Sequence, residues 1–148
     1  MKIIICVIMF MCMCKLTISQ IDTAKYTREC ILDIFNITEI KIYHKKSSIP
    51  KSLKESLNDK FSSKIRLVEK RKGLPSPPDM QMLFLIENNN YYALILKRGG
   101  RRPITYFVFA KIISNKIQVV NLYELNNKVE DIDDFLQTLK YEQFEFLR

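Results

Sequence analysis

Tryptophan is absent from this 148-residue chain, glycine occurs three times and histidine once. Each scarcity removes a class of chemistry. One histidine, His44, and few cysteines cannot close a zinc site, and no carboxylates stand at a spacing that would complete one. Gly99-Gly100 has neither the following helix nor the lysine of a phosphate-binding loop. The acids Asp131, Asp133 and Asp134 lack the glycine and ligand spacing of a calcium loop. No metal and no cofactor is therefore expected.

Cysteine is scarcer than its total of four suggests. Cys6, Cys12 and Cys14 lie in an unbroken apolar run, Ile3 to Cys14, behind the short positive start Met1-Lys2. That run has twelve residues, where a spanning helix needs roughly 20. It has the size of a signal-peptide core, and Thr17 and Ser19 supply the small residues of a cleavage site before Gln20. The expectation is a signal peptide over residues 1–19, a single secreted domain over 20–148, and no transmembrane segment. The processed chain would then keep one cysteine, Cys30, which excludes an internal disulfide framework. Cys30 falls in the pattern Cys30, Ile31, Ile34, Phe35, one apolar helical face, which predicts burial. The alternative is an intermolecular disulfide through Cys30, giving a homodimer.

What is present is a folded, basic domain. Apolar residues make up 47% and charged residues 27% of the chain, the balance of a globular protein rather than a disordered one. Taking Lys2 and Lys15 from the formal net charge of +8 leaves +6 for the processed chain. Positive charge gathers in Lys64, Arg66, Lys70, Arg71, Lys72 and again in Lys97, Arg98, Arg101, Arg102. The acids gather at Glu130, Asp131, Asp133 and Asp134, so a basic end and an acidic end are expected.

Hydrophobic spacing predicts an α+β fold. Thr23 to Phe35 reads as an amphipathic helix and Glu39 to Tyr43 as a short strand. Leu53, Leu57 and Phe61 recur at helical spacing behind Ser48, a candidate cap, and Pro50. Ile65 to Glu69 alternates as a strand, and the proline-rich Lys70 to Asp79 is a loop. Four strands follow in Met80–Glu87, Tyr91–Lys97, Ile104–Ile113 and Ile117–Leu125, joined by Asn88-Asn89-Asn90, the Gly99-Gly100 stretch and Ser114-Asn115-Lys116. A helix over Asn127–Lys140 opens on a capping pair, Asn127 and Glu130. Phe144, Phe146 and Leu147 then form a final strand or a packed tail. The expected architecture is an antiparallel four- to five-stranded sheet, the meander Met80–Leu125, packed on one side by the two amphipathic helices of Ser48–Phe61 and Asn127–Lys140.

Site residues follow from charge rather than from nucleophiles. Arginine guanidinium groups bind sulfate, phosphate or carboxylate through two parallel hydrogen bonds, and the glycines allow close backbone approach. Arg98, Arg101 and Arg102, with Lys70, Arg71 and Lys72 if both loops share one end of the sheet, are the candidate contact surface. The implied partner is an anionic glycan, a lipid headgroup or an acidic protein surface. Nucleic acid is set aside, because the leader directs the chain elsewhere. Asn36-Ile37-Thr38 is a candidate glycosylation site. Tyr91 and Tyr92 are expected to divide, one to the core and one exposed. The runner-up is a small secreted hydrolase or toxin-like enzyme using His44 with Glu87 and Glu124. A structural, oligomeric component linked through Cys30 is the third reading.

Overall fold

Where apolar residues run on without alternation, a strand must be covered on both faces. Leu94-Ile95-Leu96 and Phe107-Val108-Phe109 are such runs, and every one of those side chains is buried. The computed structural model describes residues 26–36, 39–61, 65–69 and 79–141, and the backbone of 145–147. Helix α1 is Arg28–Phe35, followed by strand β1 (Lys41–Tyr43), a 3-10 turn (Lys46–Ser48) and helix α2 (Lys51–Lys60). Strands β2 (Arg66–Val68), β3 (Asp79–Asn88), β4 (Tyr91–Arg98), β5 (Ile104–Ile113) and β6 (Lys116–Leu125) come next. Helix α3 (Ile132–Tyr141) and strand β7 (Glu145–Leu147) end the described chain.

The seven strands form one sheet in the order β1-β3-β4-β5-β6-β7, with β2 on β3. The meander β3 to β6 is antiparallel throughout, as its sequence pattern predicts. Its two tight turns sit on residues that tolerate positive φ: Asn89 at 53°, and Ser114 and Asn115 at 50° and 61°. The edge beyond β3 was not legible. There β1 pairs antiparallel with Leu85–Glu87 and β2 pairs parallel with Asp79–Gln81, so two short strands share one neighbour end to end.

Two cores result, one on each face. Phe84, Ile86, Ile95, Phe107, Phe109 and Tyr123 pack with Ile31 and Phe35 of α1 and with Phe135 and Leu139 of α3. Met82, Leu85, Leu94, Leu96, Val108 and Leu122 pack with Leu53 and Leu57 of α2. The expectation of both predicted helices on one side is therefore corrected, because the central strands carry apolar side chains on both faces. Burying each such side chain stabilises the fold by about 1.5–3 kcal/mol relative to exposure. A bulge in β3 supports the α1/α3 core. Met82 pairs with Leu96 and Phe84 with Ile95, and the intervening Leu83 joins Phe84 on the same side.

The helix starts differ from their sequence expectations for local reasons. Helix α1 begins after Thr27, whose hydroxyl accepts the Cys30 N–H at 3.3 Å. Residues 21–25 lie outside the described residues. Ser48 does not cap α2: it ends the 3-10 turn, Ile49 is buried, and the Pro50 carbonyl accepts the Lys54 N–H at 3.0 Å. For α3 the cap is Asp131 rather than Asn127. Asp131 Oδ1 accepts the Asp134 N–H at 2.9 Å, and Asp134 Oδ2 accepts the Glu130 N–H at 3.0 Å. Val129, fully buried in the α3 core, draws the chain onto the sheet first, so helix formation waits until Asp131. The acidic cluster is thus explained in part by capping and by the helix dipole.

Candidate cationic loop at the sheet end

Strand register decides where the arginines stand. Arg98 pairs with Ile104 to close the β4–β5 connection, a five-residue link through Gly99, Gly100, Arg101, Arg102 and Pro103. Gly99 is buried, and Gly100 has φ +128°, where an L side chain is strained. This backbone carries Arg98, Arg101 and Arg102 out to solvent, and all three are exposed. No side-chain ion pair or hydrogen bond engages any of the three among the described residues. Lys97, one residue earlier, is half-buried.

The opposed basic and acidic ends are not found. Thr105 pairs with Leu125, so β6 leaves the sheet at the same end as the arginine loop. The Glu130–Asp134 segment follows directly, and an antiparallel meander brings alternate connections to one end. The first cationic cluster also changes. Arg66 makes a two-pronged ion pair with Asp79, Nε to Oδ1 at 2.6 Å and Nη2 to Oδ2 at 2.7 Å, which raises its pKa above the ordinary value. That guanidinium is occupied holding β2 to β3. Lys64, Lys70, Arg71 and Lys72 lie outside the described residues. The strand that follows them, β3, begins at the arginine-loop end, since Met80 pairs with Arg98.

The groups of the hydrolase reading do not converge. Glu87 and Glu124 lie on the same face, but Glu87 is in register with Tyr92, Ala110 and Val120, and Glu124 is four residues further along β6. Three strand spacings and four residues place the two backbones roughly 20 Å apart. Paired glycosidase carboxyls stand within about 10 Å. Glu87 instead lies beside the Tyr43 hydroxyl, and its carboxylate raises the Tyr43 pKa above the ordinary phenol value. His44 Nδ1–H donates to the Leu83 carbonyl at 3.2 Å, at the bulge between the stretches of β3 paired by β1 and β2. No group of three or more His, Cys, Asp or Glu side chains gathers to hold a metal among the described residues. Nor is any helix there long and apolar enough to cross a membrane.

Two further expectations are corrected. Tyr91 and Tyr92 are both half-buried, one on each face of the sheet. Tyr91 stacks on Phe109 with centroids 5.9 Å apart, and Lys111 Nζ lies 5.3 Å from the Tyr91 ring centroid. Burial and then the Tyr91 hydroxyl raise the Tyr26 pKa beside them. Cys30 is exposed, not buried. Ile31 and Phe35 set the buried line of α1, and Cys30 stands about 100° around the helix from Ile31. A native chain beginning at Gln20 is accordingly expected to release one equivalent of thionitrobenzoate from Ellman's reagent without denaturant. A thiol that reacts only after unfolding contradicts this exposure. Asn36, at the end of α1, is also exposed, whereas Ile37 and Thr38 of its sequon lie outside the described residues. The chain matches no family model, no curated protein and no solved structure.

Proposed function

We propose that this is a secreted, non-enzymatic binding protein whose arginine loop contacts an anionic partner. One observation carries the reading: Arg98, Arg101 and Arg102 are all exposed on one short connection, and no ion pair engages them among the described residues. A guanidinium already paired, such as that of Arg66, has less to offer a ligand. Three unpaired ones on one turn bind a sulfated or phosphorylated surface with little loss of internal contacts. Lys70, Arg71 and Lys72 belong to the proposed surface on their charge alone. Heparin, a sulfated glycan, is the direct probe. Changing the three arginines together to serine is expected to move elution to clearly lower salt. Elution at the salt required by the unaltered protein would dispose of the loop.

Secretion rests on the leader, the apolar run Ile3 to Cys14 followed by Thr17 and Ser19. Expression in a secreting eukaryotic cell is expected to give medium-borne protein beginning at Gln20. Glycosylation at the exposed Asn36 is expected as a mass step that Asn36→Gln removes. Retention of Met1 in secreted material would contradict cleavage, and equal masses would contradict the glycan. Exposure of Cys30 keeps the covalent homodimer open as a second reading. Non-reducing gels that show only monomer would remove it.

A further inference from the structure

An open cleft of about 390 Å³ lies between α2, the 3-10 turn and β2, and it has a polarity of its own. Ile65 and Leu67, two residues apart and so on one side of the extended chain, form an apolar floor packed against the α2 core. Lys54 and Asn58, one helical turn apart on α2, stand over it. Lys46 closes the near side, and Glu69 lies at the end of the floor.

The hydrogen bonds at the rim leave cations as the free groups. Glu69 Oε1 accepts the Lys46 backbone N–H at 3.4 Å, which draws this carboxylate toward the main chain. Asn58 Oδ1 accepts the Ile65 N–H at 3.2 Å, so its amide N–H groups remain to serve as donors. The acid nearest along α2, Glu55, is paired with Lys51 at 3.9 Å and not with Lys54. No acid pairs with the Lys46 or Lys54 ammonium among the described residues. An apolar floor beneath two unpaired ammonium groups and an amide donor matches one ligand chemistry. Ligand sites are generally concave, mostly apolar and oriented by a few polar groups, and this volume falls within their usual range.

We propose that this cleft binds a small organic anion, an aromatic or short aliphatic carboxylate, with its carboxylate between Lys46 and Lys54 and its apolar body on Ile65 and Leu67. This site is separate from the arginine loop and stands without it. The test is a fluorescence titration of the full chain with 1-naphthoate, compared with neutral 1-naphthylmethanol and with inorganic phosphate as competitor. Naphthoate is expected to saturate at one site, and the neutral alcohol to bind at least about tenfold more weakly, since it lacks the charge-assisted bonds. Phosphate, with no apolar body, is expected not to displace it. Lys46→Gln with Lys54→Gln should weaken naphthoate about tenfold or more. Ser47→Trp, which fills the mouth without removing charge, should also abolish binding and serves if the lysine pair proves unstable. Arg101→Ser with Arg102→Ser should leave naphthoate binding unchanged while lowering heparin retention, so the two sites fail separately. Absent naphthoate binding, equal binding of the alcohol, displacement by phosphate, or indifference to both cleft variants would each overturn the proposal.

Discussion

Phe107→Ala is expected to cost about 4 kcal/mol of folding stability, read from urea unfolding. Phe107 is fully buried at the centre of the α1/α3 core. Its ring stacks on Tyr123 with centroids 5.3 Å apart and meets Phe135 edge-on at 5.0 Å. Truncation removes both ring contacts and leaves a void that a sheet on one side and a helix on the other cannot easily close. A loss below about 1.5 kcal/mol would mean that the face is less well packed than the geometry shows.

Leu57→Ala on the opposite face is expected to cost about 3 kcal/mol, and its relation to Phe107 is the more telling result. Leu57 is fully buried against the other side of the sheet, in a cluster that shares no residue with the Phe107 cluster. Combined with the milder Phe107→Leu, the Leu57→Ala effect should add to within about 0.5 kcal/mol. Phe107→Leu combined with Phe135→Leu should depart from additivity by about 0.5–1.5 kcal/mol, because those two rings touch. Strong coupling between Leu57 and Phe107 would contradict two separate cores. Both pairings can be measured by the same urea titration.

Those layers show where sequence reasoning reaches and where it stops. The meander was legible because its turns carry their own chemistry: Asn89, Ser114 and Asn115 hold positive φ, and strands of eight to ten mostly apolar residues lie between them. Helices α2 and α3 were legible from Leu53 and Leu57, and from Phe135 and Leu139. Their placement on opposite faces was not, since periodicity names the buried stripe of a helix and not the surface that receives it. The runs Leu94-Ile95-Leu96 and Phe107-Val108-Phe109 held the missing signal, as two-sided strands require cover on both sides. Parallel pairing of β2 with β3 rests on the long connection between Val68 and Asp79, and three residues of alternation do not encode a direction.

The candidate site divides in the same way. Exposure of the arginine loop was legible from Gly99-Gly100 between two strands. The Arg66–Asp79 pair was not, because the partners are 13 residues apart and meet only through strand register. Lys46 and Lys54 carry no motif of their own in the sequence, yet β2 returns beside them and completes a cleft. Cys30 was misplaced because its apolar neighbours suggested a wider buried stripe than Ile31 and Phe35 occupy.

The salt dependence of heparin binding tests the arginine loop most directly. Association constants would be measured across a range of sodium chloride for the unaltered chain and for Arg98→Ser, Arg101→Ser, Arg102→Ser combined. A control would remove three positive charges elsewhere, through Lys41→Ser, Lys116→Ser and Lys140→Ser. If the arginines make the contact, the loop variant lowers the slope of log K against log salt by about three, and the control changes it little. Equal slopes for the loop variant and the unaltered chain, or an equal loss in the control, would contradict a binding surface built on Arg98, Arg101 and Arg102.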